Sequence, residues 1–300
     1  MLRISAAIPE TGILAGCEAY TAVRLAKRQV SGTAKAEAGK ESGRQESSTA
    51  GIRQTRKRSI LDLFSDDDMI DYRQTEWSKS GQFTSITDLP LTEFGVKQMS
   101  ATGLNLIGSS KNLTTNFVEV ENLKYVITSP RKRALQTRDL LLESVSENEK
   151  NSIVFDVDND IREWDYGDYE GLKTEQIKEL RKSRGLKSDD WEIWGDGCEN
   201  GENYKQVTER VDRVIAKIRK IHREALENDE CCDIVVVAHG HILRCFAARW
   251  VGREINVNPQ FVLDAGGVGV LSYQHRNIDE PAICLAGAFV VPAEEEGAGI

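Results

Sequence analysis

The 300-residue chain has no apolar run long enough to cross a membrane, and no hydrophobic signal core precedes a cleavage-like site. It also lacks paired metal-ligand spacing, because its six cysteines are scattered. The adjacent Cys231 and Cys232 stand at the mouth of an apolar run, where ordinary burial is favoured over zinc or redox chemistry. We expect reduced thiols, no metal, no cofactor, no membrane partner and a cytoplasmic location, with a nuclear one left open.

Positive charge is scarce over most of the chain. The total net charge is −9, and residues 1–60 hold 11 Lys and Arg against 5 Asp and Glu, so residues 61–300 carry −15. Binding nucleic acid depends on neutralising phosphates with Lys and Arg. An acidic body therefore argues against nucleic acid as the main partner, and a phosphate ligand would need locally concentrated arginine. Homo-oligomer formation stays open.

The chain divides into an N-terminal extension and one large domain. Residues 1–69 include a Ser-, Gly- and Ala-rich stretch without periodicity, which predicts disorder. This segment imitates a mitochondrial transit peptide, but Glu10 and Glu18 interrupt it, so an untargeted tail is favoured and organelle targeting stays open. Residues 70–295 are the predicted domain. From about residue 90, strands alternate with helices, which indicates an α/β fold with a mostly parallel sheet.

Five segments define this alternation. "TEFGVKQMSATGLNLIG" predicts a helix that begins after Thr92, and "LKYVITSP" a buried strand. "NYKQVTERVDRVIAKIRKIHREAL" predicts a long amphipathic helix. "CDIVVVAHG" predicts a strand buried on both faces, with a helix after it that ends at Gly252. "FVLDAGGVGVLSYQH" predicts two strands around a glycine turn.

Polar residues at the ends of the buried strands are the first functional candidates, because open α/β sheets bind ligands there. Arg131 and Arg133 follow one strand and open a helix, so guanidinium groups and helix-start amides could converge on a phosphate. A solvated basic helix face is the alternative. His239, His241 and Arg244 follow the strongest strand. A satisfied core histidine and a metal-binding His-x-His are the alternatives there, but no carboxylate lies nearby in sequence to complete a metal site.

A third segment, "IREWDYGDYEGL", is dense in carboxylates and aromatic residues. Glu163 stands beside Trp164, and desolvation there would raise its carboxyl pKa toward the range of a general acid.

Taken in this order, "SPRKRALQT", "EWDYGDYEG" and "AHGH" resemble three of the four motifs of the histidine phosphatase superfamily, also called phosphoglycerate mutase-like. The resemblance covers residues 70–295 and implies a three-layer αβα sandwich. A closer resemblance, through "QTEWSKSGQFTSITDLPLTEFG", "GCENGE" and "HGHILR", is to the fungal sedoheptulose 1,7-bisphosphatase group. It implies a phosphorylated sugar as substrate and hydrolysis without a metal, in carbohydrate phosphate metabolism such as the pentose phosphate pathway.

The resemblance also implies a role for each matching residue. Arg133 would bind the transferred phosphate, Glu163 would protonate the leaving sugar alkoxide, and His239 would stabilise the phosphoryl charge. The residues implied to bind the substrate, most of them on its sugar side, are Phe83, Thr84, Ser129, Tyr166, His241, Arg244 and His275.

One family motif is missing. "RQTEWS" aligns with the end of the family sequence "RHGQTEWS", which begins with the Arg-His-Gly motif. This alignment places Asp71, Tyr72 and Arg73 at the Arg, His and Gly positions. The nucleophilic histidine is therefore absent. The preceding "LDLFSDDDMI" holds three consecutive aspartates, whose unpaired burial in a central strand would be unfavourable by several kcal/mol each.

This mismatch has two explanations, an adaptive substitution or an assembly artefact. We favour the second, in which residues 1–73 derive from a misassigned exon or an alternative transcript joined before Gln74. An unbroken transcript encoding "DDDMIDYRQTEWS" would refute it. The sequence leaves three functions open: a sugar-bisphosphate phosphatase, a pseudoenzyme that binds sugar phosphates, and a mutase that moves phosphate between hydroxyls.

Overall fold

The structure, a computed structural model, describes residues 18–25, 75–108, 118–263 and 265–285, which all belong to one compact unit. Its strands are β1 (Glu18–Leu25), β2 (Ile107–Gly108), β3 (Val118–Glu119), β4 (Leu123–Thr128), β5 (Val154–Val157), β6 (Cys232–His239), β7 (Gly267–Tyr273) and β8 (Pro281–Cys284). Its helices are α1 (Glu76–Ser80), α2 (Glu93–Leu106), α3 (Lys132–Leu141), α4 (Glu147–Lys150), α5 (Thr174–Ser183), α6 (Ile193–Asp196), α7 (Tyr204–Glu227) and α8 (Gly240–Trp250). None of the helices in these ranges is long and apolar enough to span a membrane.

Six strands form the main sheet, in the order β5-β4-β6-β1-β7-β8, and β2 pairs with β3 separately. The pairs β4/β5, β4/β6 and β1/β7 are parallel, whereas β1/β6 and β7/β8 are antiparallel. The predicted α/β fold with a mostly parallel sheet is confirmed.

Both faces of the sheet are covered. All eight residues of β6 are buried, and Ile234 and Val236 point into a core that contains the apolar side of α7. Their neighbours Val235 and Val237 join a second core with residues of α2 and α3. Because alternate residues of a strand face opposite sides, the sheet lies between two helical layers. The implied three-layer arrangement is confirmed.

Two of the predicted helices begin at capping side chains, and one of these is the expected Thr92. The Thr92 side chain accepts a hydrogen bond from the Gly95 amide at the start of α2. At the start of α7, Asn203 and Gln206 form a reciprocal capping box. Such caps satisfy amides that have no partner within the helix.

The N-terminal segment differs from the predicted disorder at residues 18–25, which form β1 between β6 and β7. β1 runs antiparallel to β6, so Glu18 pairs with His239 and Leu25 with Cys232. Two causes favour this strand: "EAYTAVRL" contains the strand-favouring residue types Tyr, Thr and Val, and β6 has backbone groups to pair on this side. The rest of 1–69, and Asp71, Tyr72 and Arg73, lie outside the described residues.

The C-terminal segment also corrects a prediction. Of the two strands predicted around the glycine turn, only the second exists, as β7; residues 261–263 form no strand. Phe261 and Leu263 pack in part against the core, whereas Val262 between them is 89% exposed. β7 pairs instead with β8, which the sequence analysis did not predict.

Candidate active site

The residues that follow β4, β5 and β6 meet at one edge of the sheet. Thr128 at the end of β4 pairs with Val237 of β6, and the Ser129 amide donates to the Val237 carbonyl over 2.9 Å. The Asp158 amide after β5 donates to the Thr128 carbonyl over 3.0 Å. Ligands of open α/β sheets bind at such carboxyl ends, so this edge is the candidate site.

His239 is the last residue of β6 and is 1% exposed. Its Nε2 lies 2.7 Å from the Ser129 hydroxyl. Burial lowers the pKa of His239 well below its ordinary value, and the charges of Arg133 and Arg131 lower it further. At neutral pH the imidazole is therefore uncharged. Its Nε2 can hydrogen-bond either to Ser129 or to a ligand that replaces Ser129.

Glu163 is fully buried beside the start of α8. Its carboxylate accepts hydrogen bonds from the amides of Trp164 at 2.8 Å, Ile242 at 3.0 Å and His241 at 3.3 Å. The last two amides belong to the first turn of α8, where backbone donors lack helical partners. Burial raises the pKa of Glu163, while these bonds and the charge of Arg133 oppose the rise. A raised carboxyl pKa suits a proton donor.

Arg133 lies in the first turn of α3 and is 1% exposed. Its guanidinium donates to the carbonyls of Thr87, at 3.0 Å, and of Thr84 and Ser85, at 3.3 and 3.4 Å. The Arg133 side chain thus fixes the loop 84–87 against α3. Its positive charge also lowers the pKa of His239, so the two side chains interact electrostatically.

Four rings form an aromatic group next to Glu163. The Tyr166 hydroxyl lies 2.8 Å from His241 Nδ1, and the Phe83 ring stacks on the His241 ring at 5.9 Å. Trp194 lies 5.3 Å from the same imidazole, measured between ring centroids. Burial lowers the pKa of His241 to about 3 and raises that of Tyr166. All four rings are exposed by 2% or less, so they pack together as a buried wall beside Glu163.

Arg244 lies beside this aromatic group and is partly exposed. Its guanidinium carbon lies 4.7 Å from the Trp194 ring centroid, and its Nη2 donates to Asn258 Oδ1 over 3.0 Å. A cation held flat on an indole is oriented as well as attracted. Sequence reasoning missed both Trp194 and Asn258, although Trp194 belongs to the aromatic-rich "WEIWGDG".

The structure does not bring His275 to this edge. Gly267, the first residue of β7, pairs with Ala19 of β1, next to the pair formed by Glu18 and His239. β7 therefore starts near the site and runs about 20 Å away from it at roughly 3.3 Å per residue. His275 follows its far end, has a 79% exposed side chain, and lies 2.7 Å from Glu280. The structure therefore separates His275 from the other predicted site residues, and its role in sugar binding stays a prediction.

A buried ion pair that the sequence analysis missed holds the segment carrying Glu163. Arg210 of α7 is 2% exposed and contacts both carboxylate oxygens of Glu202, at 2.9 and 2.8 Å. Its remaining donors reach the main-chain carbonyls of Asp160, Arg162 and Glu163, at 2.8, 2.8 and 3.2 Å. Since every donor has a partner, this pair fixes the backbone on both sides of Glu163.

Glu202 extends the same network. Its side chain accepts from the Asp165 amide at 2.9 Å and from Arg162 at 2.7 Å, and its carbonyl accepts from Trp164 Nε1 at 2.9 Å. The arginines lower the pKa of Glu202 against the opposing effect of burial. The motif "GCENGE" thus acts structurally, by clamping the loop that carries Glu163.

A close backbone approach completes this clamp and gives the first prediction. A Cβ at Gly201 would overlap the Asp165 carbonyl and lie 2.7 Å from the Gly167 amide nitrogen. We expect Gly201→Ala to lower the free energy of unfolding in urea by about 2–3 kcal/mol, because neither backbone group can move freely. Gly185→Ala is the matched control: nothing lies within 4 Å of its Cβ, and only the left-handed φ of +70° opposes it, at about 1 kcal/mol. Equal losses would contradict the close approach.

Within the described ranges, no group of three or more His, Cys, Asp or Glu side chains could hold a metal ion. The buried edge combines imidazole, guanidinium and a carboxyl of raised pKa, the groups that bind a phosphate ester and protonate its leaving alkoxide. Fold and site together are those of the phosphatases, a class of phosphoric monoester hydrolases.

The chain belongs to the histidine phosphatase superfamily: the profile described as "Histidine phosphatase superfamily (branch 1)" matches residues 74–281. It is 47% identical to the sedoheptulose 1,7-bisphosphatase of Saccharomyces cerevisiae, with 76% of this chain and 94% of that protein covered. An acid phosphatase of Mycobacterium tuberculosis is 32% identical, with 69% and 86% covered. Among solved structures, the product of a Mycobacterium tuberculosis open reading frame matches with a TM-score of 0.52 and 28% identity, over 71% of this chain and 92% of that one.

Proposed function

We propose that the chain is built as a metal-independent sugar-bisphosphate phosphatase whose substrate resembles sedoheptulose 1,7-bisphosphate. The observation that carries the proposal is the shared edge of the sheet, where His239, Ser129 and the buried Glu163 lie around the start of α8. The 47% identity to the yeast sedoheptulose 1,7-bisphosphatase supports the sugar class.

The roles follow from the state of each group. Neutral His239, with Ser129, hydrogen-bonds the phosphoryl oxygens, and the charge of Arg133 stabilises them. In the family mechanism a histidine nitrogen attacks phosphorus and the P–O bond to the sugar breaks. The departing alkoxide takes the proton of Glu163. Water then hydrolyses the phosphohistidine, which releases phosphate and frees the histidine.

That mechanism requires a histidine which this chain does not supply. The sequence has four, and His222 and His275 lie at the opposite end of the sheet from His239 and His241. The family position of the nucleophile holds Tyr72, a residue with a pKa near 10 and a poor phosphoryl acceptor. We therefore infer that the present chain binds its sugar phosphate with negligible turnover, as a pseudoenzyme does. The antiparallel β1, which brings Glu18 beside His239, favours this form.

Calorimetric titration tests the binding. Sedoheptulose 1,7-bisphosphate is expected to bind, and Arg244→Met is expected to weaken it about 10- to 100-fold, the effect of losing one charged hydrogen bond. Arg213→Met is the control, because Arg213 lies on α7 and pairs with Asp160 with 61% of its side chain exposed. If the unaltered chain binds neither sedoheptulose 1,7-bisphosphate nor sedoheptulose 7-phosphate, the proposed function is wrong.

A further inference from the structure

Two arginines follow β4 at the candidate site, and the structure gives their side chains different surroundings. Arg133 is 1% exposed, and its guanidinium donates to the carbonyls of Thr87 and Thr84 at 3.0 and 3.3 Å. Arg131 is partly exposed, and its Nε is buried without a hydrogen-bond partner in the described part of the chain. Because an unpaired buried donor is unfavourable, the Arg131 side chain is stabilised when an acceptor is added.

The positive charge of Arg131 is held in an unfavourable place. Burial lowers the pKa of Arg131, and the charge of Arg133 lowers it further. The charge of Arg162 acts in the same direction. Like charges that are brought together away from water repel each other, and an anion bound between them removes this repulsion.

Two carboxylates act on Arg131 through their charge, but both are bound to backbone amides. Asp88 Oδ1 accepts a hydrogen bond from the Lys132 amide at 2.7 Å. Glu170 Oε1 accepts from two amides of the loop 84–87, each at 2.9 Å. These carboxylates therefore reduce the repulsion without satisfying Arg131 Nε.

Arg131 also lies next to the groups proposed to bind the phosphoryl oxygens. Its amide donates to the Ser129 hydroxyl at 3.4 Å, and this hydroxyl lies 2.7 Å from His239 Nε2. After burial and Arg133, the charge of Arg131 is the next cause that lowers the pKa of His239. The guanidinium of Arg131 is thus within electrostatic reach of the phosphate position.

We propose that Arg131 is a further phosphate-binding residue, whose guanidinium hydrogen-bonds two oxygens of the transferred phosphoryl group. Arg133 then acts by its charge and by holding the loop 84–87. This inference rests on the proposed function, because it concerns the same site. A planar guanidinium suits two phosphate oxygens better than an ammonium does. Of the basic run that opens α3, only the exposed Lys132 fits a solvated helix face.

Calorimetric titration with inorganic phosphate tests the contact, because this probe carries no sugar. The unaltered chain is expected to bind phosphate, and Arg131→Met to weaken the binding about 10- to 100-fold. Arg131→Lys keeps the charge but loses the planar fork, so it should restore only part of the affinity. Lys132→Met, which removes an exposed charge from the adjacent residue, is the control and should stay within about threefold. An unaltered chain that binds no phosphate, an Arg131→Met variant of full affinity, or an equal loss in Lys132→Met overturns the proposal.

Urea unfolding without phosphate separates binding from a structural role. Arg131→Met is expected to leave the midpoint unchanged or to raise it, because burial and the neighbouring arginines destabilise the charge that it removes. Arg133→Met is expected to lower the midpoint, since it leaves carbonyls of the loop 84–87 without a donor. Added phosphate should raise the midpoint of the unaltered chain more than that of Arg131→Met. If Arg131→Met lowers the midpoint as far as Arg133→Met does, the role of Arg131 is structural and the proposal is wrong.

Titration with sedoheptulose 1,7-bisphosphate distinguishes this inference from the proposed function. If the sugar phosphate binds Arg131→Met as tightly as it binds the unaltered chain, the role of Arg131 is refuted and the proposed function stands. If inorganic phosphate binding depends on Arg131 but no sugar phosphate binds, the proposed function is refuted and the role of Arg131 stands.

Discussion

Replacing residues 1–73 by an apolar strand that ends in Arg-His-Gly is expected to raise phosphate release from sedoheptulose 1,7-bisphosphate at least about a thousandfold, since removal of an enzymatic nucleophile lowers turnover by up to about 10⁶. The other proposed participants already lie at this edge of the sheet. Glu163 is buried at the start of α8, and His239 lies 2.7 Å from Ser129. The replacement adds the missing acceptor of the phosphoryl group.

The direction of β1 explains why replacing one strand is expected to change turnover. β6 is buried along its whole length and needs a partner on each side, which β4 and β1 provide. β1 runs antiparallel to β6, so its amino end, Glu18, is level with His239. A strand running parallel to β6 in the same place would instead deliver its carboxyl end, and thus the Arg-His-Gly motif, to the site.

The control for this experiment is the same replacement strand ending in Arg-Gln-Gly, which keeps the fold and removes the nucleophile. Glu163→Gln in the chain with Arg-His-Gly should lower turnover by about 10²- to 10⁴-fold, as expected for a general acid. If the chain with Arg-Gln-Gly released phosphate as fast as the chain with Arg-His-Gly, the proposed mechanism would be wrong. No gain from the histidine strand, with sugar-phosphate binding intact, would instead support the mutase or binding functions.

The strands and helices around the site could be predicted because their patterns are strong. Four consecutive apolar residues, Ile234 to Val237, require burial on both faces, and the structure gives it. The end of such a strand fixes where His239 lies. Trp164 beside Glu163 likewise indicated desolvation, and Glu163 is fully buried.

Contacts between distant segments could not be predicted, because no local pattern encodes them. Arg210 resembles any polar position of an amphipathic helix, yet its side chain lies inside and holds three carbonyls of the 160–163 segment. The position of His275 could not be predicted for a related reason: its distance from the site depends on the direction of β7, which hydrophobic alternation does not reveal. Strand direction and buried polar partners are tertiary properties.

Acid is expected to destabilise the fold strongly, starting near pH 6.5. Burial lowers the pKa of His222 to about 4 and that of His241 to about 3, and the pKa of His239 also falls. Below pH 6.5 these histidines bind protons in the unfolded chain but stay neutral in the folded chain. The free energy of unfolding therefore decreases as the pH is lowered. Each such histidine contributes about 1.4 kcal/mol per pH unit.

One group opposes this trend. Because its pKa is raised, Glu163 is protonated at a higher pH in the folded chain than in the unfolded chain. Lowering the pH therefore removes the destabilising effect of burying its negative charge. The three histidines outnumber it, and we expect a net loss of about 4 kcal/mol between pH 7 and 5. That is a large share of the roughly 5–15 kcal/mol that stabilises a typical domain. Urea unfolding at half-unit pH intervals measures it.

His222 separates this effect from the chemistry of the site, because it lies far from His239, with its Nδ1 3.0 Å from the Tyr273 hydroxyl. His222→Gln keeps a partner for that hydroxyl and removes the titration, so it should reduce the net slope between pH 6.5 and 5 by about half. A slope that His222→Gln shares with the unaltered chain would show that acid acts through carboxylates instead, and stability that is flat from pH 6.5 to 5 would mean that the buried histidines do not resist protonation.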